Sequence, residues 1–335
     1  MFFLFFILII PINIKALTDS ATSTVVMDLD SGRILYSKNK DEKRLIASVT
    51  KVLTSMVVLE NTDLEKEVIV GEEVLKMYGT NIYIEMGEKI KIKDLLYGLL
   101  LRSGNDASVV LAVNTSKTIE DFVKLMNNKA KEIGMNNSIF SNPHGLDEET
   151  KNYSTAYDLA ILSKYAYQNP IYKKITATKK YTISTGEKTY LWYNRNKLLT
   201  DYKYCTGGKN GYTPSAGKTL ITTASKDNLN LTIVTLKDKD PFTNHKNLYE
   251  HFYELYKSYT IIDKDSFYID KEFYSKDLYI KKSFKYPLTE KETEAITTKI
   301  IIDDKKYRKP QVGIINIYLN DSKIGNVNIY ERLKK

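Results

Sequence analysis

Ser48-Val49-Thr50-Lys51 stands directly ahead of an apolar run at helical spacing, Val52, Leu53, Met56, Val57 and Leu59. A serine hydroxyl is a weak nucleophile unless a base lies within hydrogen-bond reach. Residues three apart on a helix share a face, so Ser48 and Lys51 can form that pair if Lys51 is neutral. Burial and neighbouring positive charge lower a lysine's pKa from about 10.4 by several units, and both must come from distant parts of the chain. Two other segments offer them. Ser103-Gly104-Asn105, 55 residues after Ser48, reads as a tight loop between helices, and Lys209-Asn210-Gly211 reads as the start of a strand after Gly207 and Gly208. A fold that uses all three must bring a helix start, an interhelical loop and a strand to one point.

Taken singly each segment has a plainer reading: an N-cap with a solvated lysine, a polar turn, and a glycine-rich hairpin entry. Ser-x-x-Lys also recurs at Ser37/Lys40 and Ser215/Lys218, as a lysine-rich chain allows. Together they divide a chemical task. Ser48 at a helix N-terminus meets the positive end of the dipole, and Lys51 takes its proton. Ser103 passes a proton to a leaving amine, and the Asn105 amide orients lysine and substrate. Lys209 lowers the pKa of Lys51 and holds a substrate carboxylate, and Gly211 lets a substrate backbone lie close to the strand.

Along the chain, Thr24–Leu29 and Arg33–Tyr36 flank the turn Asp30-Ser31-Gly32 as a hairpin. Residues from about 92 to 135 suggest two or three helices, Thr155 with Asp158 suggests a capping box for another, and Phe242–Tyr256 suggests a closing helix. Leu220–Ala224 and Leu229–Leu236 read as strands around the turn 225–228. Strands, then helices, then strands suggest a mixed α/β (α+β) domain in which a helical cluster covers an antiparallel sheet. Beyond residue 260 only short alternating segments remain, so the chain divides into residues 1–16, a catalytic domain over 17–259 and a small all-β domain over 260–335.

At 335 residues, 42% apolar and 27% charged, the composition is that of a folded globular protein. Fifty Lys+Arg against 41 Asp+Glu give a net charge of +9. That excess suits peripheral contact with an anionic membrane or cell wall; no dense basic run or recognition-helix pattern points to nucleic acid. Cys205 is the single cysteine, which excludes an internal disulfide, and three scattered histidines without H-E-x-x-H argue against a catalytic metal. The apolar block Met1–Ile12 is short for a bilayer span and reads as the core of a secretory signal cleaved after Ala16, with an uncleaved anchor as the alternative. Such a signal places the protein outside the cytoplasm, at the membrane's outer face or in the wall.

The triplet resembles the S-x-x-K, S-x-N and K-T-G set of penicillin-interacting serine enzymes. Its surroundings, Ile46–Thr54, Leu100–Ala107, Ser141–Asp147, Tyr153–Leu159, Asn194–Leu199 and Gly207–Thr213 with Ala216-Gly217, resemble the D-alanyl-D-alanine carboxypeptidase family of low-molecular-mass penicillin-binding proteins (serine peptidase family S11). The resemblance runs from Ala21 to Tyr256, and more loosely through the tail. It implies a β-lactamase/transpeptidase-like fold in which Ser48 attacks the peptide bond between the two terminal D-alanines of a peptidoglycan stem peptide. Backbone N–H groups of Ser48 and Tyr212 would hold the oxyanion, β-lactams would acylate the same serine, and no cofactor is implied.

One departure stands out: Asn210 replaces the family's threonine, whose hydroxyl helps bind the substrate's terminal carboxylate. Asparagine offers an amide donor from a longer, differently branched side chain, so weaker binding or altered specificity is expected. Two other functions compete. A class A β-lactamase needs an E-x-x-L-N segment, in place of which Asn142-Pro143-His144-Gly145-Leu146 stands, and a penicillin- or wall-binding protein would have lost turnover through Asn210. Endopeptidase against carboxypeptidase action is open.

Overall fold

Side chains alternate between two faces of a strand, and in the central strands of this chain both faces are buried. Val25 and Met27 enter one apolar core, and Val26, between them, enters another. The same split places Val234 and Leu236 on one side, and Leu231 and Ile233 on the other. A sheet with both faces covered explains why these strands read as nearly continuous apolar runs. The computed structural model describes residues 17–186, 188–303, 307 and 310–332. The expected signal segment, residues 1–16, lies outside the described residues.

The sheet has five antiparallel strands in the order Ile34–Lys38, Ala21–Asp28, Leu229–Asp238, Gly217–Lys226, Cys205–Thr213. Helix Pro241–Leu255 covers one face through Leu248, Tyr249 and Phe252. Helices Lys51–Asn61 and Ala156–Tyr167, with Asn105–Ser116 and Ile119–Glu132 behind them, build the core on the other. Lys51–Asn61 is buried along its first eight residues, so it is a central helix with little polar face.

The turn between the last two long strands is tighter than residues 225–228. Both strands extend inward to Lys226 and Leu229, and only Asp227 and Asn228 lie between, with φ of 50° and 62°. Two successive left-handed residues make the primed turn whose twist matches an antiparallel hairpin. The Thr155 hydroxyl accepts the Asp158 N–H at 3.0 Å as a cap should, but the Asp158 carboxylate turns to Asn137 N and Ser138 Oγ, both at 2.7 Å. Half of the expected capping box therefore serves a tertiary contact.

After Leu255 the described chain forms strands and a 3-10 turn, Lys291–Ala295. Lys257–Ile262 pairs with Phe284–Leu288, and a second sheet runs Leu278–Ile280, Ser322–Glu331, Gln311–Leu319, Ile296–Ile302. This part has its own core of Ile280, Val312, Ile315, Ile317, Val327 and Ile329. Arg33, in the first hairpin, reaches it: the guanidinium donates to Pro287 O at 2.6 Å, pairs with Glu292, and lies 5.3 Å from the ring centroids of both Tyr256 and Tyr286.

Candidate active site

Ser48 lies in a 3-10 turn, Ala47–Thr50, that runs into the α-helix at Lys51, so it sits one turn ahead of the α-helix proper. Ala47 is held at φ 49°, a left-handed conformation unfavourable for alanine and typical of strained functional sites. Gly145 makes that turn possible: a Cβ there would come within 2.0 Å of the Ala47 carbonyl oxygen, and its own φ is +87°. Lys51 is fully buried, with Asn105 Oδ1 and His144 O each at 2.7 Å as acceptors for the two N–H bonds of a neutral amine and Ser48 Oγ at 3.1 Å facing its remaining position, the lone pair. Burial first, then the positive charge of Lys209, holds its pKa well below the usual amine value, with Asp106 opposing. A lysine in that state can accept a proton.

Ser103 ends a π-helical turn, Gly98–Arg102, and stands at φ 70°. Two residues on, Asn105 opens helix Asn105–Ser116. The loop that carries Tyr78 and Thr80 is strapped to this corner. Asn105 N donates to Thr80 O at 2.8 Å, and Asn105 Nδ2 to Tyr78 O at 2.7 Å. Buried Asp106 accepts Tyr83 N at 2.7 Å, Ala107 N at 2.8 Å and Ile82 N at 3.0 Å. These contacts fix the Asn105 amide so that its oxygen faces Lys51.

Lys209, Asn210 and Gly211 lie in the middle of the edge strand Cys205–Thr213 and not at its start, because pairing with Gly217–Lys226 extends back through Gly207 to Cys205. Lys209 is 1% exposed and donates to Ser103 Oγ at 3.0 Å and Asn210 O at 2.6 Å. Burial, with help from Arg195, lowers its pKa to about 7. Gly211 abuts the turn that carries Ser48: a Cβ there would meet Ser48 N at 2.7 Å. Thr219 on the neighbouring strand donates to Ile46 O at 3.0 Å and ties the sheet to the segment entering that turn. The sheet edge and the Ser48 backbone are thus held in register.

The three segments open on one cleft of about 520 Å³, lined by Ser48, Ser103, Asn210, Gly211 and Tyr212 together with Thr80 and Arg195. Lys51, Asn105 and Lys209 stand behind its wall and reach it through Ser48 and Ser103. Sequence reasoning gave no role to Asp106, His144 or Arg195. Each lay in a segment noted only for its likeness to the family, and a backbone carbonyl such as that of His144 leaves no mark in residue type. His144 itself is held neutral, its pKa lowered to about 3 by burial and then by Lys51. Cys205 is half-buried on the same strand as Lys209. No cluster of metal-ligating side chains occurs among the described residues.

The family described as D-alanyl-D-alanine carboxypeptidase matches residues 12–240. The D-alanyl-D-alanine carboxypeptidase DacF of Bacillus subtilis is 38% identical over 231 residues, which cover 67% of this chain and 59% of that protein. DacA of Haemophilus influenzae, described in the same words, is 34% identical over 62% of this chain and 54% of its own length. The chain thus spans somewhat more than half the length of these relatives. Among solved structures, penicillin binding protein 5 from Haemophilus influenzae superposes with a TM-score of 0.77 at 25% identity, covering 94% of this chain and 97% of the other. With the family match spanning the whole sheet and all three segments of the cleft, the chain belongs to the D-alanyl-D-alanine carboxypeptidase family.

Proposed function

We propose that this protein is a serine D-alanyl-D-alanine carboxypeptidase that trims peptidoglycan stem peptides outside the cytoplasm and is acylated by β-lactams. The observation that carries the reading is the buried Lys51 amine, 3.1 Å from Ser48 Oγ with its pKa held low. Ser48 Oγ attacks the carbonyl of the penultimate D-alanine while Lys51 takes the hydroxyl proton. The C–O bond forms as the carbonyl π electrons move to oxygen, where backbone N–H groups of Ser48 and Tyr212 receive the charge. Preorganised donors of this kind contribute several kcal/mol. Collapse of the intermediate breaks the C–N bond, and the departing D-alanine amine takes a proton through Ser103, which Lys209 faces at 3.0 Å. Water then attacks the ester as Lys51 takes its proton, the bond between the acyl carbon and Ser48 Oγ breaks, and Lys51 returns the proton to that oxygen, which releases the shortened peptide and restores the Ser48 hydroxyl. These steps draw only on side chains and backbone.

Export is supported by the reading of Met1–Ala16 as a signal. Among the described residues no helix is long and apolar enough to cross a membrane. The net charge of +9 suits peripheral contact with an anionic membrane or wall.

The test is D-alanine release from a diacyl-Lys-D-Ala-D-Ala peptide by the purified protein, beside Ser48→Ala. Release by the wild type alone, with a penicilloyl adduct on Ser48 by mass spectrometry, is expected. A stable adduct without release would make the protein a penicillin-binding protein that has lost turnover through Asn210, and rapid penicillin hydrolysis would make it a β-lactamase.

A further inference from the structure

The two backbone N–H groups that receive the oxyanion sit on separate elements, Ser48 N in the turn Ala47–Thr50 and Tyr212 N on the edge strand Cys205–Thr213. Such donors are effective only when both are fixed before charge develops. The strand end has little of its own to fix it. Tyr212 is 64% exposed, its strand is paired on one side only, and the strand ends one residue later at Thr213. A buried contact to a distant segment holds that end: Thr213 Oγ1 donates to Asp147 Oδ2 at 2.6 Å and accepts Ala216 N at 3.1 Å. Asp147 closes residues 141–147, and the rest of that segment is built onto the Ser48 turn. Pro143 O accepts Thr54 Oγ1 and His144 O accepts Lys51 Nζ, both at 2.7 Å, and Gly145 packs against Ala47 O too closely for a Cβ. Buried Asn142 and Asn152 stiffen it: Asn142 Oδ1 accepts Gly145 N at 2.6 Å, and Asn152 Nδ2 donates to Thr50 Oγ1 at 3.0 Å. One short segment therefore grips the Ser48 turn along its middle and the sheet edge at its end.

We propose that Asp147 is a positioning residue for the reaction: through Thr213 it sets Tyr212 N relative to Ser48 N, so that both donors point at one oxygen. The inference rests on the carboxypeptidase reading and deepens it, since it concerns the step at which the carbonyl becomes tetrahedral. Thr219, across from Gly211, ties the neighbouring strand to the residue entering the Ser48 turn, and Asp147 does the same for the strand end beyond it. Asp147 bonds to Thr213 and not to the reacting atoms, so its effect falls on the tetrahedral state more than on the bound peptide. The task needs an acceptor at that point, which the amide oxygen of an asparagine also supplies.

The test reads the tetrahedral state apart from ground-state binding. Asp147→Ala, Asp147→Asn, Thr213→Val and Thr213→Ser are compared with the wild type in two ways. One is affinity for an N-acyl-1-aminoethylboronic acid, which mimics the penultimate D-alanine and becomes tetrahedral on Ser48 Oγ. The other is kcat and KM for D-alanine release. Expected for Asp147→Ala and Thr213→Val is a loss of roughly tenfold or more in boronate affinity and in kcat, with KM changed less than about threefold. Asp147→Asn and Thr213→Ser, which keep the hydroxyl–oxygen contact, are expected to stay within about threefold of the wild type throughout. Unchanged boronate affinity in a cooperatively folded Asp147→Ala or Thr213→Val, or a loss confined to KM, would overturn the assignment. So would an Asp147→Asn protein as poor as Asp147→Ala, since charge and not the contact would then be at work. Where Asp147→Ala does not fold, the Thr213 pair decides alone. Failure of the carboxypeptidase reading shows separately, as a wild type that binds the boronate and releases no D-alanine; the boronate affinities then still decide the role of Asp147.

Discussion

Lys209 carries a positive charge into a fully buried position, and the cost shows in a pKa lowered to about 7 by burial and Arg195. In the unfolded chain the same amine titrates near 10.4. Between those values the unfolded state binds more protons, so stability rises with pH from about 7 toward 10; below about 7 both states are protonated and the slope vanishes. Lys209→Met removes that slope. The stability difference between wild type and variant is therefore expected to shift in favour of the wild type by roughly 4 kcal/mol across the window, read by urea unfolding at several pH values. Parallel pH profiles would show that Lys209 is not depressed. Asn210, on the same strand, is legible from sequence as a departure but not in its consequence. Asn210→Thr is expected to lower the KM for a D-Ala-D-Ala peptide several-fold with kcat little changed; an unchanged KM would show the amide to be a full substitute.

Helix starts and turns were readable because local chemistry sets them. Thr155 as a cap and the polar turn read at 225–228, which closes on Asp227 and Asn228, mark boundaries through their own backbone preferences, whereas the helix after Ser48 starts at Lys51 without a side-chain cap. What an element does for its neighbour was not readable. Asp106 stands in the first turn of helix Asn105–Ser116 and drew no role from its residue type, yet its carboxylate receives the N–H groups of Ile82 and Tyr83 and holds the loop that orients Asn105. Asp106→Ala leaves those buried donors unmatched and is expected to cost about 2–4 kcal/mol. Hydrogen exchange should quicken across residues 77–84, and penicillin acylation should slow at least tenfold. Slowed acylation with an unaltered loop would point instead to the electrostatic effect of Asp106 on Lys51.

Across the whole molecule, one arginine joins the catalytic sheet to the C-terminal strands. Arg33, part-buried between Tyr256 and Tyr286 and paired with Glu292, lies far in sequence from all three. Arg33→Ala is expected to leave acylation of Ser48 within twofold while exposing the junction near residue 256 to limited proteolysis, because the second core does not depend on the first. A matching loss of acylation would show that the C-terminal strands shape the cleft. The sequence by itself determined the pairing of Ser48 with Lys51, the two further segments and the family, since spacing and residue type follow from the chemistry and from local backbone preference. Only the tertiary structure decided which charges are free to meet a substrate. Burial is a property of the packed chain: it places Lys51 and Lys209 behind the wall of the cleft and leaves Arg195 and Lys197 at its surface.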